Sequence, residues 1–81
     1  MTFDENINEE KLAEAALAIL SLTAHKEFGG VRAWKGMDWD LLGLLHKKGW
    51  IGDPVGKQKS VILSDEGEKL AAQFLEKHFG K

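Results

Sequence analysis

Gly49 and Ser64 confine the chain between them to one course. The stretch "WDLLGLLHKK", Trp39 to Lys48, has helical spacing and ends on Lys47 and Lys48 beside a glycine. Cations in the last turn followed by a left-handed glycine mark a helix stop, and Leu45 and Trp50 sit at the spacing of the apolar contact that often closes it. Ser64, followed by Asp65 and Glu66, is the cap and acidic first turn of another helix. In between, Asp53-Pro54-Val55-Gly56 places Asp, Pro and Gly where a type I turn prefers them. That turn is flanked by Trp50-Ile51 on one side and Ser60 to Leu63 on the other. These two stretches are therefore expected to pair as a two-stranded hairpin.

Upstream, Asn8 caps a first helix, with Glu9 and Glu10 in its first turn and Ile7 and Leu12 spaced as a hydrophobic staple. Leu12, Ala15, Ala16, Ile19 and Leu22 define one apolar face, which Ala13, Leu17 and Leu20 widen. This helix is expected to fade near His25 and to stop at Gly29-Gly30. Asp38 caps the second helix, where Gly43 costs helix propensity and is read as allowing a close helix crossing. Val31 to Lys35, short and partly alternating, can add a third strand to the hairpin. In the last helix, Gly67, Leu70, Ala71, Phe74, Leu75 and His78 form one buried stripe.

The pattern predicts an α+β fold in one domain spanning residues 1–81: three helices with a small antiparallel sheet. With 81 residues the core is thin, since such a chain buries only about 60% of its unfolded surface. Trp34, Trp39, Trp50, Phe28, Phe74 and Phe79 are its candidate anchors. The absence of cysteine removes disulfides and thiolate metal sites. The acidic N-terminal stretch Met1 to Glu5 lacks the positive charge of a secretory signal, and no apolar run reaches membrane-spanning length, so a cytoplasmic protein is expected. Net charge is −2, unevenly spread: residues 1–28 carry six acids against two bases, residues 29–59 three against six, and residues 60–81 four against three. The middle third is the part suited to meeting phosphate.

From Leu41 to Phe74 the chain resembles the second half of a winged-helix domain. The basic-Gly-apolar step at Lys47 to Ile51 is similar to the end of a recognition helix, with a hairpin wing after it. "LSDEG", Leu63 to Gly67, is similar to the segment that opens the last helix in many bacterial regulators. The resemblance implies a reduced winged helix and a DNA-associated role. "RAWKGMDWD", Arg32 to Asp40, with "HKKGWIGDPVGKQKSV" after it, also resembles a family of short bacterial proteins classed as a domain of unknown function. That likeness spans nearly the whole chain and implies no activity.

The segment "RAWKGMDWD" is locally neutral, because Arg32 and Lys35 balance Asp38 and Asp40. Asp38 and Asp40 are explained as a cap and a first-turn acid, and Trp34 and Trp39 are read first as core anchors and second as stacking residues. Lys57 and Lys59, two apart on an expected strand, point one way, either toward phosphate or as guards of a sheet edge. His25, His46 and His78 lie near different helix ends without metal-ligand spacing, so no metal is expected. Gly52 to Gln58 lacks the spacing and the Ser or Thr of a phosphate-binding loop. No serine has a base-and-orienter pattern, so neither catalysis nor a cofactor or small-molecule substrate is expected.

Two functions remain. The leading one is a non-catalytic, DNA-associated regulatory module whose phosphate contacts are Arg32, Lys35, Lys47, Lys48, Lys57 and Lys59. The alternative is a protein-interaction or homodimerisation module using Phe74, Leu75 and Phe79. It draws on the acidic total and on the dozen residues between the first two helices, whose three glycines leave little room for a supporting helix.

Overall fold

A computed structural model of the chain describes residues 3–81; Met1 and Thr2, which open the acidic N-terminal stretch, lie outside the described residues. The first helix, α1 (Glu9–Leu20), starts where expected, with the Asn8 carboxamide oxygen accepting from the Lys11 amide at 3.1 Å. It ends earlier than the periodicity suggests. The Ser21 and Thr23 hydroxyls donate to the Ala18 and Leu20 carbonyls at 2.6 and 3.3 Å, and the chain tightens into a 3₁₀ turn over Ser21–Thr23. Such hydroxyl-to-carbonyl bonds compete with helix continuation. Thr23 Oγ1 also accepts from the Trp34 amide at 2.9 Å, which ties the helix end to the sheet.

Where the helix was expected to fade, the chain forms a hairpin of β1 (His25–Glu27) and β2 (Gly30–Trp34). Phe28-Gly29 is thus the hairpin tip, with Gly30 paired to Glu27 and Gly29 at φ 99°, a left-handed conformation that glycine adopts without steric cost. The third strand expected at Val31 to Lys35 exists and lies at the centre of the sheet. It pairs antiparallel with β1, His25 opposite Arg32, and with β3 (Ser60–Ile62), Ala33 opposite Val61. The other arm of the expected wing shrinks to one bridge, Ile51 to Leu63, supported by the Gly52 amide donating to the Ile62 carbonyl at 2.8 Å. Residues 53–59 are loop, so Lys57 and Lys59 do not share a strand.

Asp38 caps α2 (Trp39–Lys47), its carboxylate accepting from the amides of Asp40 and Leu41 at 3.0 and 3.2 Å. The end of α2 follows the sequence closely. Gly49 sits at φ 79°, its amide donates to the His46 carbonyl at 2.9 Å, and the Trp50 amide reaches back to Leu45 at 3.1 Å. This double bond pattern, with Leu45 and Trp50 both buried, is a Schellman stop. Ser64 caps α3 (Asp65–Phe79), accepting from the Gly67 amide at 2.9 Å while donating to the Gly49 carbonyl at 2.7 Å.

The result is three helices and a small three-stranded antiparallel sheet, an α+β fold compatible with a reduced winged helix. Among the described residues, no helix is long and apolar enough to cross a membrane. Leu17, Leu42 and Leu45 are fully buried, with Ala13, Ala16, Leu20, Ala33, Trp50, Ile51, Val61, Leu63 and Ala71 around them. The buried face of α1 is centred on the residues expected only to widen it, and Ile19 and Leu22 are exposed. Trp50 anchors the core and meets the half-buried Phe74 at 5.4 Å between ring centroids. The other proposed anchors are corrected: Trp34 and Trp39 are 59% and 56% exposed, Phe79 is 52% exposed, and Phe28 stands free at the hairpin tip.

Gly43 has open space around its Cα and marks no crossing; the close approach lies at Gly67, where a Cβ would overlap the Trp50 carbonyl oxygen and lie 2.8 Å from its carbon. Two alanine substitutions should therefore act oppositely in urea unfolding. Gly67→Ala is expected to destabilise by about 3 kcal/mol or more through overpacking against rigid backbone. Gly43→Ala should stabilise by about 1 kcal/mol through helix propensity. Equal effects at the two positions would contradict this packing.

Candidate functional site

The pairing of β2 with β3 places Arg32 on the sheet face turned away from the helices, beside Ser60. Arg32 Nε donates to Ser60 Oγ at 2.7 Å, and Nη2 donates to the Ser60 carbonyl at 2.9 Å and to Gln58 Oε1. One residue past β2, the Lys35 amide bonds the Lys59 carbonyl at 2.9 Å. Its ammonium reaches under the loop to the Pro54 and Gly56 carbonyls at 2.7 and 3.1 Å. The Val55 amide donates to Asp53 Oδ1 at 2.9 Å, which folds the loop on itself. Together these bonds shape a cleft of about 310 Å³ lined by Arg32, Lys35, Asp53, Lys57, Gln58 and Ser60, with Val55 and Gly56 completing the wall.

The hydrogen-bond partners of these two cations are carbonyl, amide and hydroxyl oxygens, none of which carries a formal charge. Among the described residues Asp53 is the one carboxylate in the wall, and Glu27 makes a long ion pair with Arg32 at 3.9 Å. Elsewhere the opposite holds. Lys48 pairs with Glu10 at 2.7 Å while lying over the Trp50 ring, and Lys77 pairs with Glu14 at 2.9 Å.

The six basic residues singled out in the sequence therefore separate. Arg32, Lys35 and Lys57 converge on the cleft, and Lys59 adjoins it through its backbone bond to Lys35. Lys48 is occupied by Glu10, and Lys47 lines a different hollow, also about 310 Å³, with Phe3, Glu9, Trp39, Asp40, Gly43 and Leu44. Gln58 and Ser60 were not anticipated. Neither belongs to a motif, and only the register of β3 against β2 brings them to Arg32. Of the proposed dimer contacts, Phe74 packs within the chain against Trp50, Leu75 is half-buried, and Phe79 remains open.

The histidines serve three separate places. His46 Nδ1 lies 3.2 Å from the Ile51 carbonyl, and His78 Nε2 lies 2.7 Å from Glu14 Oε1, joining α3 to α1. Among the described residues, no group of three or more His, Asp or Glu side chains is placed to hold a metal ion. Hydrogen bonds from Lys77 and then His78 hold the Glu14 carboxyl below its ordinary value of 4.5. His25 sits between two acceptors, the Thr23 carbonyl at 3.0 Å and Glu27 Oε1 at 2.8 Å. Both favour the doubly protonated ring, the Thr23 bond most, and raise its pKa above 6.5.

Residues 8–81 match the family described as Domain of unknown function (DUF6429). The chain belongs to this family. It is also 44% identical over 73 residues to a protein of Sinorhizobium fredii (strain NBRC 101917 / NGR234) named "Uncharacterized protein y4hR", covering 90% of this chain and 95% of that one. No solved structure matches the chain.

The two shifted groups give pH dependences of opposite sign. Glu14 contributes stability that is complete above its unfolded value of 4.5 and is lost as pH falls through its lower folded value. Glu14→Gln should remove that part of the acid destabilisation in urea titrations from pH 6 to 3. His25 contributes stability that is complete below 6.5 and is lost as pH rises through its higher folded value. NMR titration of the His25 ring should show that raised midpoint, and Glu27→Gln should move it down; a midpoint at or below 6.5 contradicts the two-acceptor geometry.

Proposed function

We propose that this chain is a non-catalytic, winged-helix-like binding module that associates with duplex DNA through backbone phosphates. One observation carries the reading: the β2–β3 pairing and the 53–59 loop gather Arg32, Lys35 and Lys57 on the wing side, with Lys59 next to them in the chain, in positions where uncharged oxygens are the hydrogen-bond partners of the first two. Phosphate contacts of this kind fix a protein on the duplex without reading sequence. The face of α2 that a winged helix would turn to a groove carries Trp39, Gly43 and Lys47 behind Asp38 and Asp40, two acids that outweigh its one lysine and repel phosphate. Recognition therefore rests on the wing and is weakly dependent on sequence. Four phosphate contacts give a log–log salt slope no steeper than about −4. A fluorescence-anisotropy titration with mixed-sequence duplex should show binding at about 50 mM salt that the pair Lys57→Gln with Lys59→Gln weakens by about tenfold. No binding at that salt would overturn the proposal.

A second reading, self-association without nucleic acid, is favoured by the exposed apolar surface. Ile19 and Leu22, one turn apart, lie where the end of α1 meets β2, which also exposes Trp34, and Phe79 is open at the end of α3. Apolar patches of this kind mark partner surfaces when they are contiguous. A second copy of the chain is the partner this reading names. Sedimentation should then show a dimer that Trp34→Ser or Phe79→Ser weakens; a monomeric mass at high concentration would exclude it.

A further inference from the structure

The hydrogen-bonding groups of the wing cleft are one-sided. Its acceptors are largely occupied by the wall itself: the Pro54 and Gly56 carbonyls by Lys35, the Ser60 carbonyl and Gln58 Oε1 by Arg32, and Asp53 Oδ1 by the Val55 amide. Its donors are left over. Arg32 has five N–H groups and uses Nε and Nη2, so both protons of Nη1 have no partner among the described residues. Lys35 bonds two carbonyls and keeps a third proton. Because a guanidinium can only donate, Gln58 must turn its oxygen to Arg32 and its amide nitrogen outward. Ser60 Oγ accepts from Arg32 and retains its own proton, and Lys57 stands at the rim with its ammonium unbonded among the described residues. Among the described residues, three cations stand in this wall against Asp53, with Glu27 3.9 Å from Arg32 Nε at its edge.

We infer that this cleft is a socket for a single phosphoryl dianion, as carried by a phosphate monoester or inorganic phosphate. The three cations outnumber the two nearby carboxylates, Asp53 and Glu27. A phosphoryl group of about −1.5 to −2 at neutral pH can engage the free donors of Arg32, Lys35, Lys57, Gln58 and Ser60 together. The three terminal oxygens of such a group match these several donors better than the two oxygens of a carboxylate or the two unesterified oxygens of an internal phosphodiester. The volume of about 310 Å³ lies at the small end of ligand clefts. The inference shares residues with the DNA reading but goes beyond it, because the socket holds one terminal phosphoryl group whether or not a polymer is attached.

The test is a ¹⁵N NMR titration of the intact chain with inorganic phosphate at constant ionic strength, following Arg32 Nε–H, the Gln58 carboxamide and the Ser60 amide. Saturable shifts confined to the cleft are expected. Gln58→Glu preserves the acceptor for Arg32 while replacing the free donors with negative charge, and should weaken phosphate at least about tenfold; Lys57→Met should weaken it about threefold. Unchanged amide dispersion elsewhere shows that both variants fold. Linear, non-saturating shifts, or equal phosphate affinity in Gln58→Glu, would overturn the socket.

A second arm separates the sources with a short duplex, with and without a 5′ phosphate. Preference for the phosphorylated end that Gln58→Glu abolishes supports occupation by a nucleic-acid terminus. Saturable phosphate binding without that preference supports a free phosphoryl compound. Phosphate binding without any duplex binding overturns the DNA reading and leaves the socket standing. Duplex binding without saturable phosphate binding does the reverse.

Discussion

The structure turns on the backbone of Trp50. Its amide closes the Schellman stop of α2 on Leu45, its carbonyl accepts from the Ser64 amide at 3.0 Å, and Gly67 presses its bare Cα against that same carbonyl. Within a few residues, one helix ends, a minimal strand bridge forms at Ile51, and the closing helix begins. The indole supplies the apolar part of the joint through Phe74, with Lys48 over its other ring contacts. Removing the free space at Gly67 would therefore disturb α2, the sheet and α3 together.

This joint also produces the cleft. Fixing Trp50 to Ser64 at one end, and β2 to β3 at the other, leaves residues 53–59 as a closed loop with carbonyls turned inward. The buried Pro54 and half-buried Ser60 carbonyls require donors, and Lys35 and Arg32 supply them. A carboxylate partner would satisfy a lysine but cancel its charge, as Glu10 does for Lys48. Carbonyl partners satisfy it and leave the field intact. The same bonds that fold the loop therefore leave the cleft electropositive in a chain whose net charge is −2.

The parts legible from sequence are those decided within a few residues. Asn8, Asp38, Gly49 and Ser64 each set a helix boundary by bonds to their near neighbours, and each stands where its residue type predicts. The β1–β2 hairpin was hidden because His25 to Glu27 has no apolar alternation, and its pairing depends on Thr23 tying down Trp34 across the chain. Ring size misled at Trp34 and Trp39, whereas alanines at 13, 16, 33 and 71 let the layers close without them. Gly43 and Gly67 look alike in sequence, and only tertiary contact with Trp50 separates them. At the cleft, charge was legible in Arg32, Lys35 and Lys57, but the arrangement of Gln58, Ser60 and the loop carbonyls follows from long-range register.

The most direct measurement on the joint is amide hydrogen exchange by NMR, read with the coupling across the Ser64 N–H to Trp50 carbonyl bond. If this contact holds the elements together, the Ser64 and Trp50 amides exchange only through global unfolding, at the rate of the Leu17 and Leu45 amides, and the coupling is observed. Exchange at Ser64 and Trp50 through local opening, far faster than at Leu17, with no coupling across the bond, would contradict the account.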